Sequence, residues 1–199
     1  MHHRGGNLAW QAVSRHRVFD VSIEDGFKRT GSDPFELPLE MRNPIRRFRG
    51  RIPMPVTVWT ANGNEGGPEG LTVSSIFIGE GDPPSVLGLI APDSSFWDAM
   101  RESKRFVVHV LDQSHTRIAD QFALRYPGDP FEGLSVVSSD YGPVLRDVTT
   151  RSAITLMGFM EGGYSLLIRG SIEDVELDPN PMQPLIHYRG RYFTTSARA

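Results

Sequence analysis

Two short runs of hydroxyl side chains stand out for their chemistry. Thr72, Ser74 and Ser75 lie in Gly70-Leu-Thr-Val-Ser-Ser-Ile-Phe-Ile78, and Ser94 and Ser95 close Pro92-Asp-Ser-Ser95. A helix that starts at Ser94-Ser95 presents free N–H groups and the positive end of a dipole, which suits a phosphate. A strand lined with small polar residues can hydrogen-bond the edge of a planar heterocycle, with Trp59, Ile76 or Phe96 covering a face. If Gly70 to Ile78 is one strand, Thr72 and Ser74 share one side, with Val73 and Ser75 on the other. The competing reading is that these hydroxyls only satisfy nearby backbone. Residue types and spacing leave both open.

Other chemistry has less support. There is no P-loop, no dinucleotide-binding glycine motif, no His-Glu-x-x-His and no Gly-x-Ser-x-Gly. His109, His115 and His187 are scattered without carboxylates at ligand spacing, so no metal site is expected. His109 interrupts the apolar run Arg105 to Leu111 and reads as a buried, hydrogen-bonded side chain. Ser74 and Ser75 lack an adjacent base, so neither reads as a nucleophile, and no catalytic acid or base is assigned. The absence of cysteine excludes disulfides and thiol chemistry.

With 199 residues, no 18-residue apolar run and no apolar leader, the chain is expected to be a soluble cytoplasmic globule without a membrane span. Its net charge of −3 is uneven: residues 1–51 carry 10 Lys and Arg against 6 Asp and Glu, and the remainder 11 against 18. The basic cluster Arg46, Arg47, Arg49 and Arg51 lacks the interleaved aromatics of a nucleic-acid stripe, so no nucleic-acid partner is expected. It reads as a solvated segment facing the acidic body, or as a contact to a phosphate-bearing small ligand.

The elements that must position these groups are mostly strands. Residues 1–45, weakly periodic and broken by Gly and Pro, read as an arm packed on the body or on a partner subunit, with the main domain over 46–199. Glu40 to Phe48 has room for a turn or two of helix, limited by Pro44. Strand signals run over Pro55–Ala61, Gly70–Ile78, Ser85–Ala91, Arg105–Leu111 and, near the end, 134–139, 143–149, 152–160 and 164–176. A last pair, Leu185–Tyr188 and Arg191–Thr195, flanks Arg189-Gly190, a tight-hairpin signal. Helices are expected at Ser95–Ser103, with Ser95 as cap, and at Ser114–Leu124, where Ile118, Ala119 and Phe122 share a face. The fold class is mainly β: a closed or split antiparallel barrel with a few short helices.

Several of these stretches, in order, resemble the flavin reductase family of FMN-binding split β-barrels, the reductase components of two-component flavin monooxygenases. They are Arg47-Phe-Arg-Gly-Arg-Ile-Pro-Met-Pro-Val-Thr-Val-Trp-Thr-Ala61, Gly70-Leu-Thr-Val-Ser-Ser75, Asp82-Pro-Pro-Ser-Val-Leu87, Ser94-Ser95 and Phe106-Val-Val-His-Val-Leu111. Ile118-Ala-Asp-Gln-Phe122, Gly142-Pro-Val-Leu145 and Leu185–Phe193 follow, so the resemblance covers about residues 45–195. It implies an NAD(P)H-dependent flavin reductase that passes hydride to N5 of FMN, with FAD as another possible flavin. It also implies a homodimer, a monooxygenase partner, and a site drawn from Trp59, Thr60, Thr72, Val73, Ser74, Ser75, Ala91, Ser94, Ser95 and Tyr164. Thr72, Ser74 and Ser75 would touch the ring and ribityl chain, Trp59 and Thr60 would line the ring site, and Ser94 and Ser95 would touch the phosphate.

Three departures qualify it. Pro92-Asp93 replaces a family Asn-Arg, so Arg51, Arg101 or Lys104 is expected to supply the missing cation. His109 stands in place of an asparagine. Gly163-Tyr-Ser165 stands where the family has Gly-Asp-His, so Tyr164 either covers the nicotinamide or is a plain barrel-wall residue. The alternatives are a non-enzymatic flavin carrier and a related split-barrel oxidoreductase using another flavin or a deazaflavin.

Overall fold

From Val56 to Ala61 every residue is buried, Thr57 and Thr60 included, so the two-residue alternation of a half-exposed strand is absent. The structure, a computed structural model, describes residues 44–63, 67–125 and 128–195. Nearly all of the expected arm over residues 1–45 lies outside the described residues. Helix α1 (Pro44–Arg49) begins on a proline, whose missing N–H would be unpaired in a first turn anyway. It is followed by β1 (Met54–Pro55), β2 (Thr57–Asn62), β3 (Pro68–Val73), β4 (Ile76–Gly79) and β5 (Ser85–Ile90). Helix α2 (Ser95–Ser103), β6 (Arg105–Val110) and α3 (Thr116–Phe122) come next, with a 3-10 turn ahead of α3. The chain ends in β7 (Val136–Val137), β8 (Val144–Leu145), the long pair β9 (Arg151–Gly162) and β10 (Ser165–Glu176), then β11 (Leu185–Tyr188) and β12 (Arg191–Thr194). The expected strands at 134–139 and 143–149 shrink to the two-residue strands β7 and β8, and the expected pair at 152–160 and 164–176 is the β9–β10 hairpin.

Seven strands form one antiparallel sheet in the order β3-β2-β6-β9-β10-β5-β4. Its two outer strands, β3 and β4, are joined in the chain by only Ser74 and Ser75. In a flat sheet, six steps of about 4.8 Å would set them almost 30 Å apart. A two-residue link reaches about 10 Å. The sheet must therefore curl until its outer strands lie side by side. The Leu89 N–H donates to the Ser75 carbonyl at 3.0 Å, which stitches the link to β5. No ladder joins β3 to β4, so the curled sheet has an open seam there, as the expected split barrel requires. Gly70 to Ile78 is thus two strands and not one, and the expected alternation of hydroxyls does not carry across the break.

Burial has two layers. Inside the curl, Trp59 stacks on Phe106 with ring centroids 5.0 Å apart and meets Phe96 edge-on at 6.4 Å. Val73, Val86, Met100, Ile154 and Ile168 pack around them. Gly88 is required here: a Cβ at that position would lie 2.4 Å from the Trp59 indole. Outside β2 and β6, Val56, Val58, Leu111, Ile118, Phe122, Leu145 and Leu185 form a second layer, closed by α3 and β11. The three strands β1-β11-β12 make a small sheet against this end. Arg189 and Gly190, both at positive φ, turn the β11–β12 hairpin as a type I′ pair. Among the described residues no helix is long and apolar enough to cross a membrane.

Candidate functional site

The hydroxyl groups split into those already engaged and those left open. Ser94, not Ser95, caps α2: its Oγ accepts from the Trp97 N–H at 3.2 Å and donates to the Ala91 carbonyl at 2.9 Å. Ser95, exposed in the first turn, donates its hydroxyl to the Glu69 carboxylate at 2.6 Å. This contact sets the Glu69 carboxylate beside the start of α2. Thr72 Oγ1 donates to the Ala119 carbonyl at 2.7 Å, which ties β3 to α3. Trp59 and Thr60 are wholly buried, and the Thr60 hydroxyl donates to the Pro143 carbonyl at 2.5 Å. Their side chains serve the interior and line no open ring site. Val73 is also core, and its carbonyl accepts from Thr57 at 2.5 Å.

Ser74 and Ser75 are different. They lie outside both strands at the seam. Ser74 is half-buried, and its hydroxyl has no partner among the described residues. Ser75 is 4% exposed, and its Oγ accepts from Arg49 Nη2 at 3.3 Å. The ladder places this link beside the end of β5. Ile76 pairs with Gly88, so Ser75 stands level with Leu89 and Ser74 with Ile90, one residue before Ala91. Ser75 is thus set against Leu89 in β5. Ser95 is turned toward Glu69 instead, and Tyr164 is 80% exposed at the tip of the β9–β10 hairpin.

Arg49, one member of the basic cluster in the sequence, is the cation that the structure sets against Ser75. Of the expected cations, Arg101 is paired with Asp98 at 3.2 Å and lies over the Trp97 ring. Lys104 directs its ammonium to the Arg101 carbonyl, and burial together with the Arg101 charge lowers its pKa. Arg49 ends α1, whose last turn is anchored by the Arg189 N–H donating to the Gly50 carbonyl at 2.9 Å. That bond sets the guanidinium beside Ser75 and near His187. Burial first, then the Arg125 and Arg49 charges, lower the His187 pKa. Nearby, Arg125 lies 3.1 Å from Asp120 without hydrogen-bond alignment and sits over the Tyr192 ring. Burial pushes the Tyr192 phenol up to about 12, helped by its hydrogen bond to Asp120. The basic cluster was visible in the sequence. Its contact to a serine 26 positions away was not.

The other described histidines, His109 and His115, make backbone contacts. His109 is buried between the outer layer's Val58 and Leu145. Its Nδ1 lies 3.2 Å from the Val58 carbonyl, and its Nε2 accepts from the Leu145 N–H at 3.1 Å. One ring nitrogen donates and the other accepts, which defines a neutral tautomer. Burial lowers its pKa to about 4, with the Arg151 charge acting in the same direction. His115 Nε2 lies 2.8 Å from the Asp147 carbonyl. No group of three or more His, Asp or Glu among the described residues could hold a metal ion.

The groups shown at the seam are two serine hydroxyls and a guanidinium. They fit a polar, anionic ligand such as a flavin nucleotide. Comparison with known proteins points the same way. The profile of the flavin reductase like domain matches residues 49–196. HsaB of Mycobacterium tuberculosis, the reductase subunit of a flavin-dependent monooxygenase, is 27% identical over 157 residues, covering 78% of this chain and 81% of HsaB. An NADH:FMN oxidoreductase of Rhodococcus erythropolis is 29% identical over 148 residues, 72% of this chain and 76% of that protein. A relative from Rhizobium meliloti is longer, and the chain spans 48% of it. Nitrilotriacetate monooxygenase component B from Mycobacterium thermoresistibile superimposes with a TM-score of 0.70 at 29% identity, over 76% of this chain and 85% of that one.

Proposed function

Because the chain belongs to the flavin reductase like domain family, we propose that it is an NAD(P)H-dependent flavin reductase that binds FMN along the Ser74–Ser75 seam and supplies reduced flavin to a monooxygenase. The observation that carries this reading is the seam itself. An open Ser74 hydroxyl and a buried Ser75 hydroxyl bonded to Arg49 lie where the sheet closes on itself. Named relatives that reduce FMN with NADH, or serve as monooxygenase reductase subunits, support the reaction class. FMN, when bound, supplies the hydride-accepting ring. The residues of this chain orient that ring and exclude water from one face. Proximity and alignment govern hydride transfer between stacked rings, so no acid or base is required of the protein. In this reading Tyr164, exposed at the hairpin tip, covers the nicotinamide by stacking.

A second copy of the chain completes this reading. On the outer face of the sheet Leu89 pairs with Leu167 and Leu167 with Met160, while Phe77 pairs with Leu87 in the next row. Phe77 is 67% exposed and Leu89 41%. This apolar row beside the seam is proposed as the homodimer contact. Sedimentation of Phe77→Glu at micromolar concentration tests it, and a wild-type monomer would refute it.

The activity is tested by following oxidation of NADH and NADPH by absorbance with and without added FMN. Turnover above the free-flavin background is expected with at least one nicotinamide. FMN binding without turnover would replace the enzyme reading with that of a flavin carrier, which Gly163-Tyr-Ser165 in place of Gly-Asp-His favours.

A further inference from the structure

We propose that the exposed apolar face of α1 is a docking surface for a segment of this same chain, the run from Phe35 to Met41 just ahead of the helix. This goes beyond the flavin reading and does not depend on it.

Helix α1 has six residues, and none of them is buried. Helices shorter than about 12 residues are marginal in water, and in proteins most of their stability comes from packing an apolar face. The bonds from Arg49 to Ser75 and from the Arg189 N–H to the Gly50 carbonyl hold only its C-terminal end. Phe48 is 68% exposed, and Ile52, in the turn that follows, 44%. Pro44, Arg47, Phe48 and Arg51 recur at steps of three and four residues, which puts them on one side of the helix. They line a hollow of about 160 Å³, close to the size of an apolar cavity that takes up a benzene ring. The proline and the phenyl ring supply apolar surface there, and the two arginines add positive charge.

The chain itself names the occupant. Forty-three residues precede Pro44, so a segment among them meets α1 at the roughly millimolar effective concentration of a short tether. Within them Phe35, Leu37, Leu39 and Met41 alternate with Glu36, Pro38 and Glu40. In an extended chain that alternation gathers the four apolar side chains on one side. Arg42 and Asn43 leave the two residues a reversal needs, and the helix to be covered is only about 9 Å long. Charge agrees with this. Residues 20–40 carry six Asp and Glu against two Lys and Arg, whereas residues 46–51 hold four arginines and no acid. A second copy fits less well, because a symmetric contact through α1 would set the arginines of one chain against those of the other.

The test is hydrogen exchange, read by mass spectrometry, on the full chain: wild type, Phe48→Asp, and the double variant Phe35→Ser with Leu37→Ser. Exchange of the β9–β10 amides checks that each variant is folded. In the wild type the amides of residues 45–52 are expected to exchange at least roughly tenfold slower than in an unstructured peptide, and equally slowly on dilution through the micromolar range. The double variant is expected to lose that protection, and Phe48→Asp to speed exchange over residues 35–41 by a similar factor. Exchange of residues 45–52 at the unstructured rate in the wild type would overturn the proposal. Protection of α1 that survives the double variant, or exchange over 35–41 that Phe48→Asp does not move, would overturn it too. Protection that disappears on dilution would give this face to a second copy instead, and the proposal would fall.

Discussion

Acid should weaken this protein through one side chain, and the size of the effect follows from its two hydrogen bonds. His109 is fully buried, lies 3.2 Å from the Val58 carbonyl, and accepts from the Leu145 N–H at 3.1 Å. Protonating Nε2 would turn that acceptor into a donor aimed at another donor, in an apolar layer. The pKa therefore falls from 6.5 to about 4 in the folded chain. Between these values the unfolded chain takes up a proton that the folded chain refuses. Stability is therefore full above pH 6.5 and is lost as the pH falls toward 4. Each pH step of one between those two values removes about 1.4 kcal/mol, so the loss at pH 4 is about 3 kcal/mol. That is a large share of the roughly 5–15 kcal/mol that holds a domain of this kind folded. His187, whose pKa is also lowered, titrates in the same direction, so His109 has to be isolated by substitution. Urea unfolding of the wild type and of His109→Asn, followed by tryptophan fluorescence at steps from about pH 7 to 4, does this. His109→Asn leaves the Leu145 N–H without its acceptor and should be the less stable chain at neutral pH, by about 1–3 kcal/mol. The difference should shrink on acidification, because only the wild type loses the His109 contribution. A difference that stays constant across that range would refute the reasoning.

Three further outcomes follow from the geometry. Ser94→Ala removes the cap of α2 and should cost about 1 kcal/mol by urea unfolding at neutral pH. Gly88→Ala places a methyl against the Trp59 indole and should cost about 1–3 kcal/mol through overpacking, read as a lower melting temperature with a changed near-UV spectrum. Tyr164→Ala, at an exposed hairpin tip, should raise the KM for NAD(P)H and leave FMN affinity nearly unchanged. Loss of FMN affinity without a change in that KM would move Tyr164 to the flavin site.

The barrel was largely legible because its signals are local. Alternation, β-branching, Arg189-Gly190 and the face shared by Ile118, Ala119 and Phe122 each act within a few residues. The site was legible only in outline. Thr72, Ser94 and Ser95 stand out in the sequence as hydroxyls, but the partners of two of them come from elsewhere in the chain: Ala119 for Thr72 and Glu69 for Ser95. A hydroxyl's availability depends on such partners, and no sequence spacing reports them. Trp59 failed as a ring-lining residue for a related reason. Its strand is covered on both faces, and its side chain points into the curl, where it stacks on Phe106. Arg49 was visible only as one of four clustered arginines, because its contact to Ser75 and the bond from the Arg189 N–H to the neighbouring Gly50 carbonyl join segments far apart in the chain.

The two-residue join between β3 and β4 has a consequence for how the molecule can come apart. The strands at the two margins of the sheet are tethered by covalent bonds whether or not anything bridges them. Neither margin can drift far enough to splice onto another molecule, so the chain itself does the work that a hydrogen-bonded closure would do. The unlaced gap can still open and shut around that tether like a hinge with one pin. Amide hydrogens along the facing edges of β3 and β4 should accordingly exchange ahead of those in the β9–β10 pair, and a nucleotide seated in the gap should slow them without altering the strand order.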